Sequence, residues 1–265
     1  RNSAPVPRLR AGRSPALGRI LCVANQKGGV GKTTTAVNLA VGLAKGGART
    51  LLVDLDPQCN ATSGLGLRPA DRHPRLSQTP LREAVKPSTT AGLDVLPGSR
   101  QFDDIQTLDG SDAEQSAVLV RHLENGLLNF YDFVLIDCPP SLGQLTRTAL
   151  AGATEVLMPI QCEYFAMEGL TQMIEVIRDV MQRNPRRLRF GGILLTMYDH
   201  TLELTHEVDA EVRDFFGEIV FQTVIPRDVA VSEAPSHGLS VLDYDPRARG
   251  ARAYAELCLE VLQRE

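Results

Sequence analysis

The amino-acid sequence predicts an α/β fold with a doubly wound, mostly parallel sheet and helices on both faces. Short apolar runs alternate with segments of helical periodicity along most of the 265 residues. The apolar runs are mostly unbroken series of Val, Ile and Leu, which is typical of strands buried on both faces of a parallel sheet. A glycine-rich loop joins the first of these runs to the first helical segment. Together these observations favour a doubly wound sheet over a sandwich or a helical bundle.

Strands and helices are expected in alternation. The predicted strands are 19–25, 49–56, 93–98, 131–139, 155–161, 190–198, 219–226 and 240–245. The predicted helices are 32–45, 112–129, 142–152, 167–184, 203–216 and 247–264. Ligands of such sheets bind at the carboxyl ends of the strands, so polar residues that follow the predicted strands are the candidates for function.

We expect one domain over residues 19–265, because this length is ordinary for a single α/β core. Residues 1–18 contain three prolines and no periodic pattern, and they are predicted to be a flexible basic arm. The net charge of −4 gives no reason by itself to expect a nucleic-acid binder, but nine basic residues and no acidic residue precede Asp54. Such asymmetry is typical of an interaction tail. The five cysteines contain no C-x-x-C pair and are interpreted as reduced thiols.

The segment GGVGKTTT lies between a predicted strand and a predicted helix, which is the context that a phosphate-binding P-loop requires. Gly28, Gly29 and Gly31 let the backbone turn tightly, and the N-terminus of the following helix adds partial positive charge. Lys32 is expected to reach the β- and γ-phosphates of a nucleotide. The Thr33 hydroxyl is expected to ligate Mg²⁺.

The loop departs from the common P-loop pattern at its start, where Gln26 replaces glycine and Lys27 follows. With this lysine the loop resembles the deviant Walker motif of the ParA/MinD group of P-loop ATPases. The resemblance implies an ATPase that dimerises around ATP, with Lys27 touching the partner's phosphates as an arginine finger does. The alternative is a solvated loop lysine. The expected nucleotide-binding residues are Lys27, Gly28, Gly29, Val30, Gly31, Lys32, Thr33 and Thr34.

Acidic residues end two of the predicted strands. Asp54 and Asp56 are two positions apart, so both side chains can face the same crevice. Asp137 follows four apolar residues in the Walker B form, and its carboxylate suits Mg²⁺. The resemblance implies that Asp56 orients the attacking water and that Asp54 supports the metal and the catalytic centre. The expected catalytic residues are Lys27, Lys32, Asp54 and Asp56, and the expected metal residues are Thr33, Asp54 and Asp137.

The C-terminal half closely resembles the ParA/Soj chromosome-partition branch of this group. The segments SEAPSHG and YDPRARGARAY carry the likeness, and the whole resemblance covers residues 19–264. It implies that Pro226 and Arg227 lie near the adenine base. Thr201 and Ala230 stand where the family usually has basic residues. Because positions near Ala230 help relatives to bind DNA, the DNA surface of this chain is expected either to have moved or to bind more weakly.

The resemblance implies a weak, Mg²⁺-dependent ATPase that forms a homodimer in its ATP state and binds double-stranded DNA without sequence preference. A ParB-type partner would stimulate hydrolysis and release, in the cytoplasm and in association with the nucleoid. Neutralising DNA phosphates requires only lysine or arginine. The best candidates are Arg247, Arg249 and Arg252, and a second cluster is Arg186, Arg187 and Arg189. The alternative interpretation of each cluster is that its arginines form a solvated, charged end with no partner.

Three other classes of function compete with this one. A MinD-type ATPase that anchors on membranes needs a C-terminal amphipathic helix with a basic polar face, whereas the polar face here carries Glu256, Glu260 and Glu265. We therefore expect no membrane binding. An iron–sulfur scaffold would use paired cysteines. An interaction protein with an inactive loop is disfavoured by the intact lysine, threonine and aspartates described above.

Overall fold

The structure is a computed structural model that describes residues 18–71, 81–101, 130–164, 166–183 and 188–264. Its strands are β1 (Arg19–Val23), β2 (Thr50–Asp54), β3 (Lys86–Pro87), β4 (Leu93–Leu96), β5 (Phe133–Asp137), β6 (Glu155–Gln161) and β7 (Arg189–Thr196). They form one sheet in the order β3-β4-β2-β5-β1-β6-β7. Every neighbouring pair is parallel except β3 with β4. The predicted mostly parallel sheet is confirmed.

The described α-helices agree closely with the longer helical predictions. They are α1 (Lys32–Lys45), α2 (Asn60–Gly64), α3 (Leu81–Ala84), α4 (Gln144–Gly152), α5 (Ala166–Arg183), α6 (Glu203–Phe216), α7 (Val229–Glu233), α8 (Val241–Tyr244) and α9 (Arg249–Gln263). The segments Gly217–Ile219 and Ala234–His237 are 3₁₀ turns. The predicted helix 112–129 and almost all of the predicted N-terminal arm lie outside the described residues.

Helices cover both faces of the sheet, as predicted for a doubly wound fold. Successive residues of β1 point to opposite faces: Ile20 and Cys22 belong to one buried cluster, and Leu21 and Val23 to another. The first cluster is completed by apolar residues of α4, α5 and α6, and the second by α1, α8 and α9. The central strands are therefore buried on both sides, which explains their unbroken apolar sequences.

The prediction of a strand at 219–226 is wrong. The segment makes isolated bridges, Val220 with Ile193 of β7 and Pro226 with Tyr198 just after β7, and no continuous ladder. Its N–H groups at Phe221 and Ile225 donate to β7 carbonyls. Between them the backbone N–H groups of Gln222 and Thr223 donate to the side chain of Glu260 on α9 instead of to a neighbouring strand. A side-chain acceptor thus competes with the sheet for these donors, and proline contributes no donor of its own.

The prediction of a strand at 240–245 is also wrong, because this segment forms the short helix α8. The Ser240 side chain accepts from the Asp243 N–H as an N-cap, and Asn38 of α1 accepts from the Val241 N–H. Val241 and Leu242 are buried in the cluster around α1. Tertiary packing and capping override the β-like composition here.

The buried carboxylate of Glu155 on β6 pairs with arginines of the neighbouring strands, and one of these arginines also bonds to α9. Arg19 donates to both oxygens of Glu155 at 2.7 and 2.6 Å, and Arg189 donates to the same carboxylate at 3.2 Å. Arg19 also donates to the Val261 carbonyl of α9 at 2.6 Å. Burial raises the pKa of Glu155, but the hydrogen bonds and charge of Arg19, with those of Arg189, more than offset it and hold the pKa below its usual value of 4.5.

Glu155→Gln is expected to lower the free energy of unfolding at pH 7 by about 3 kcal/mol, because it leaves the arginines without their counter-charge. Since the folded pKa is depressed, the stabilisation is present above pH 4.5 and is lost as the pH falls below it. Urea unfolding at pH 7 and in the acid range measures both effects. Arg147→Gln, which breaks a half-exposed pair with Asp179, is the control and should cost less than about 1 kcal/mol. A Glu155→Gln variant as stable as the wild type would contradict the prediction.

Candidate functional site

The predicted site residues come together at the carboxyl ends of three adjacent strands. In the sheet register, Asp137 at the end of β5 lies opposite Val23 of β1 on one side and opposite Asp54 of β2 on the other. The glycine-rich loop follows β1, and the loop bearing Asp56 follows β2. Parallel strands thus deliver the phosphate loop and the carboxylates to one edge of the sheet.

The glycine-rich loop has the backbone that a phosphate cradle needs. Gly29 and Gly31 have φ angles of +77° and +83°, a region that L side chains rarely adopt. Gly31 precedes the first residue of α1, so the helix N-terminus opens directly into the loop. The loop is fastened from β7, where the Thr196 hydroxyl lies 2.9 Å from the carbonyls of Val30 and Ile160.

Lys32 lies inside the loop and is largely buried. Its ammonium donates to the backbone carbonyl of Lys27 at 2.7 Å, which holds the side chain across the loop. Burial lowers the pKa of Lys32, while the negative charges of Asp137 and Asp56 act in the opposite direction. A lysine this desolvated gains most from a nearby anion, which is the role expected of a P-loop lysine.

The Thr33 hydroxyl donates to Asp137 Oδ2 at 2.8 Å, which places two side-chain oxygen atoms side by side. Asp137 is fully buried, and its Oδ1 atom has no hydrogen-bond partner among the described residues. Burial, then the charge of Asp54, raises the pKa of Asp137 well above its usual value. A buried carboxylate oxygen without a partner beside a threonine hydroxyl fits Mg²⁺, which prefers few protein ligands and retains several waters.

Asp54 is fully buried, and protein groups occupy both of its oxygens. Oδ2 accepts from the N–H and the hydroxyl of Thr62, and Oδ1 accepts from the Asp56 N–H. Burial raises the pKa of Asp54 to about 6 despite these hydrogen bonds. The structure brings Asp54 beside Asp137, as expected, but uses its oxygens to brace the following loop. Its predicted role at the metal stays a prediction.

Asp56 lies at the start of the loop that follows β2 and is also buried. Its Oδ1 accepts from the Gln58 N–H at 2.9 Å, and its carbonyl accepts from the Cys59 N–H at 2.8 Å. Cys59 has a φ of +54°, an unusual conformation for a residue with a side chain. The tight turn keeps the Asp56 carboxylate close enough to Lys32 for their charges to interact.

Lys27 is paired through its ammonium with a residue outside the phosphate loop. Its ammonium pairs with Glu163, which follows β6, at 2.5 Å, and the two side chains are 40% and 44% exposed. Its backbone is fixed by the Asn25 side chain, which accepts from the Lys27 N–H and donates to the Pro159 carbonyl. The two lysines of the loop therefore have different surroundings. Lys32 is buried near Asp137 and Asp56, whereas Lys27 is partly exposed and paired with Glu163.

Pro226 and Arg227 lie beside the end of β7. Pro226 forms a bridge with Tyr198, and the Arg227 N–H donates to the Tyr198 carbonyl at 3.0 Å. Because β7 also carries the threonine that fastens the phosphate loop, these residues lie on the β7 side of that loop. Their predicted place near an adenine base stays a prediction.

The first arginine cluster is exposed at the N-terminal end of α9. Arg247, Arg249 and Arg252 are all accessible, and the Arg249 guanidinium donates weakly to the Arg227 carbonyl at 3.4 Å. In the second cluster, Arg186 and Arg187 lie outside the described residues, whereas Arg189 is engaged with Glu155. The three arginines of the first cluster are therefore accessible to a partner.

Sequence reasoning missed three supporting residues of this site. Thr62 braces Asp54, Thr196 fastens the phosphate loop and Glu163 pairs with Lys27. Each acts through a contact between segments that are distant in the chain or through a helix too short to show periodicity. No local pattern in the sequence marks them.

The fold and this arrangement of loop, lysines and carboxylates define a P-loop ATPase with a deviant Walker motif. A family profile described as an AAA domain matches residues 18–190. The sporulation initiation inhibitor protein Soj of Bacillus subtilis is 45% identical over 250 residues, covering 92% of this chain and 98% of that protein. The chromosome partitioning protein ParA of Caulobacter vibrioides is 45% identical over 253 residues, covering 93% and 95%.

Among solved structures, a cobyrinic acid a,c-diamide synthase from Mycobacterium smegmatis with bound ADP and magnesium superposes with a TM-score of 0.79. It is 33% identical, and the match covers 93% of this chain and 94% of that one. The chain belongs to the ParA/Soj family of chromosome-partitioning ATPases.

Proposed function

We propose that this protein is an ATP-dependent, dimerising partition ATPase that binds DNA without sequence preference in its ATP state. The protein is cytoplasmic and associates with the nucleoid. Hydrolysis to ADP and phosphate, which is weak alone and stimulated by a ParB-type partner, then releases it from the DNA. The observation that carries the proposal is the division between the two loop lysines. Lys32 is buried close to Asp137 and Asp56, whereas the Lys27 side chain is 40% exposed and paired with Glu163.

ATP is proposed to bind with its phosphates in the glycine-rich loop. The loop N–H groups, the N-terminus of α1 and the Lys32 ammonium together present positive charge to the β- and γ-phosphates. In this structure Lys32 donates to the neutral carbonyl of Lys27. With ATP bound, it would instead donate to a charged phosphate oxygen. Thr34, on the first turn of α1, is proposed to contact the same phosphates.

Thr33 and Asp137 would hold Mg²⁺, either directly or through its water ligands. When bound, the ion neutralises charge on the β- and γ-phosphate oxygens. The free Oδ1 of Asp137 provides the unused acceptor for this purpose. When Asp54 is ionised, its negative charge repels that of Asp137 beside it. A bound cation would therefore also reduce the repulsion between these two carboxylates.

Asp56 is proposed to orient the attacking water, since it is the carboxylate of the loop whose position is set by a tight turn. Charge that builds on the transferring phosphoryl group would be met by Lys32 from the same chain and by Lys27 from the partner. The Lys27–Glu163 pair has to open for this contact. A half-exposed ion pair is worth only about 0–1 kcal/mol, so a phosphate of the partner's ATP can displace it.

DNA is proposed to bind at the surface of Arg247, Arg249 and Arg252. Exposed guanidinium groups neutralise backbone phosphates without reading base sequence. A dimer presents two copies of this surface at once, so ATP-driven dimerisation raises the affinity for DNA without any new contact. Thr201 and Ala230, which stand where the family usually has basic residues, carry no charge to offer DNA. Thr201 hydrogen-bonds to Asp199, and Ala230 packs against the core.

The alternative of a membrane-anchored, MinD-type ATPase receives less support from α9. Its apolar stripe includes Tyr254, Leu257, Cys258 and Val261, which are buried against α1 and the sheet. A stripe already used in the core is not available to a lipid surface. Within the described ranges, no helix is long and apolar enough to cross a bilayer.

Arg247→Glu combined with Arg249→Glu is expected to abolish ATP-dependent DNA binding while ATP-driven dimerisation persists. Wild-type binding to non-specific duplex DNA should appear with ATP, be absent with ADP or without nucleotide, and weaken steeply with added salt. The control is Lys86→Glu with Arg178→Glu, which makes the same change in net charge at other exposed positions. If the double arginine variant binds DNA as the wild type does, the DNA surface lies elsewhere.

A further inference from the structure

Thr62 joins three segments near the end of β2. Its backbone N–H and its hydroxyl donate to Asp54 Oδ2 at 2.9 and 2.6 Å. The same hydroxyl accepts from the backbone N–H of Gly98, just beyond β4, at 2.9 Å. Thr62 and Asp54 are both completely buried. One hydroxyl thus uses its donor and its acceptor to hold α2 against the ends of two strands.

This contact closes the short loop that carries Asp56. The loop leaves the sheet at Asp54 and enters α2 just before Thr62, and the two residues meet at its base. Asp54 also accepts from the Asp56 N–H at 3.1 Å, so the braced carboxylate bonds directly to the backbone of the next acidic residue. A chain of hydrogen bonds therefore runs from Thr62 through Asp54 to Asp56.

Gly98 packs closely against Asp54. A Cβ atom added to Gly98 would lie 2.9 Å from Asp54 Cγ, which is closer than real Cβ contacts allow. The Gly98 backbone is therefore held directly against the Asp54 carboxylate. Removing the Thr62 oxygen would leave the Gly98 N–H and one lone pair of Asp54 without partners, and the base of the loop would have to shift.

We propose that Thr62 is a positioning residue for ATP hydrolysis, whose hydroxyl fixes the loop bearing Asp56 relative to the phosphate loop. The inference rests on the proposed catalytic role of Asp56. The two hydrogen bonds of the Thr62 hydroxyl go to Asp54 and Gly98, which are not part of the loop that would hold the phosphates, so loss of the hydroxyl affects turnover more than nucleotide affinity. A misplacement of about 1 Å can lower a rate about 100-fold, and we expect Thr62→Val to reduce turnover at least about tenfold.

The test compares Thr62→Val and Thr62→Ser with a matched control, Thr148→Val. Thr148 is also fully buried, but its hydroxyl has no hydrogen-bond partner among the described residues, so the same substitution removes no bond. Single-turnover hydrolysis of ATP with enzyme in excess gives the rate, and equilibrium titration with ADP gives the affinity. Thr62→Val should lose at least about tenfold in rate and keep its ADP affinity within about twofold, while Thr62→Ser and Thr148→Val stay within about threefold of wild type.

Three results would overturn the inference: an unchanged rate in Thr62→Val, a parallel loss of rate and ADP affinity, or a Thr62→Ser rate as low as that of Thr62→Val. If Thr62→Val is not recovered folded, Thr62→Ala takes its place beside the serine variant. Asp56→Ala is measured in the same assay. Normal turnover in Asp56→Ala refutes the catalytic proposal itself, whereas an inactive Asp56→Ala with a normal Thr62→Val refutes only the role of Thr62.

Discussion

Asp56→Ala is expected to reduce ATP hydrolysis at least about 100-fold while leaving ATP affinity close to that of the wild type. The carboxylate is buried at the start of a tight loop beside Lys32, where it can orient a water toward the γ-phosphate. It is not among the groups expected to hold the phosphates themselves. Phosphate release measures turnover, and equilibrium titration measures affinity.

The same variant is expected to accumulate as an ATP-bound dimer, because binding and dimerisation proceed while hydrolysis does not. Sedimentation with ATP and with ADP distinguishes the two states. Asp214→Ala, which removes an exposed carboxylate on α6, is the control and should behave as the wild type does. Normal hydrolysis by Asp56→Ala would remove this residue from the mechanism.

Lys27→Gln is expected to lower both hydrolysis and ATP-driven dimerisation, while nucleotide binding by the monomer is largely unchanged. Its ammonium is paired with Glu163, outside the loop, so we expect its removal to take no contact from nucleotide in the same chain. In other phosphoryl-transfer enzymes, a cation supplied by a partner protein to the transferring phosphoryl group raises the rate by about 10³–10⁵-fold. A loss of this order would identify Lys27 as such a cation.

Lys32→Ala provides the contrast, because Lys32 is buried inside the loop and should be needed for nucleotide binding itself. Lys86→Gln, at an exposed position on β3, is the control for the loss of a lysine charge. Equal losses of nucleotide affinity in Lys27→Gln and Lys32→Ala would contradict the division of roles between the two lysines.

Much of the fold and of the site was predictable because it is encoded locally. The unbroken apolar runs around Leu21 and Leu135 predict buried parallel strands, and the glycines before Lys32 predict a loop that opens a helix. Since parallel strands end at one edge, the sequence positions of Asp54 and Asp137 already place them together, and the register confirms that they are neighbours.

The errors arose where distant groups decide the backbone. Residues 219–226 have a β-like composition, but Glu260 on α9 takes two of their N–H groups. Residues 240–245 look like a strand, yet the Ser240 cap and the Asn38 side chain favour a helix. Thr62 and Glu163 escaped notice for the same reason, since their partners lie at least eight positions away in the chain.

The most direct measurement mixes two variants that are each expected to be inactive, Lys27→Gln and Asp56→Ala. In a mixed dimer, one composite site combines the intact Asp56 of one chain with the intact Lys27 of the other. ATP hydrolysis should therefore return on mixing, to about a quarter of wild-type activity if the chains pair at random in a two-fold dimer. No recovery, despite mixed dimers demonstrated by differential tagging and co-purification with ATP, would contradict the action of Lys27 across the dimer.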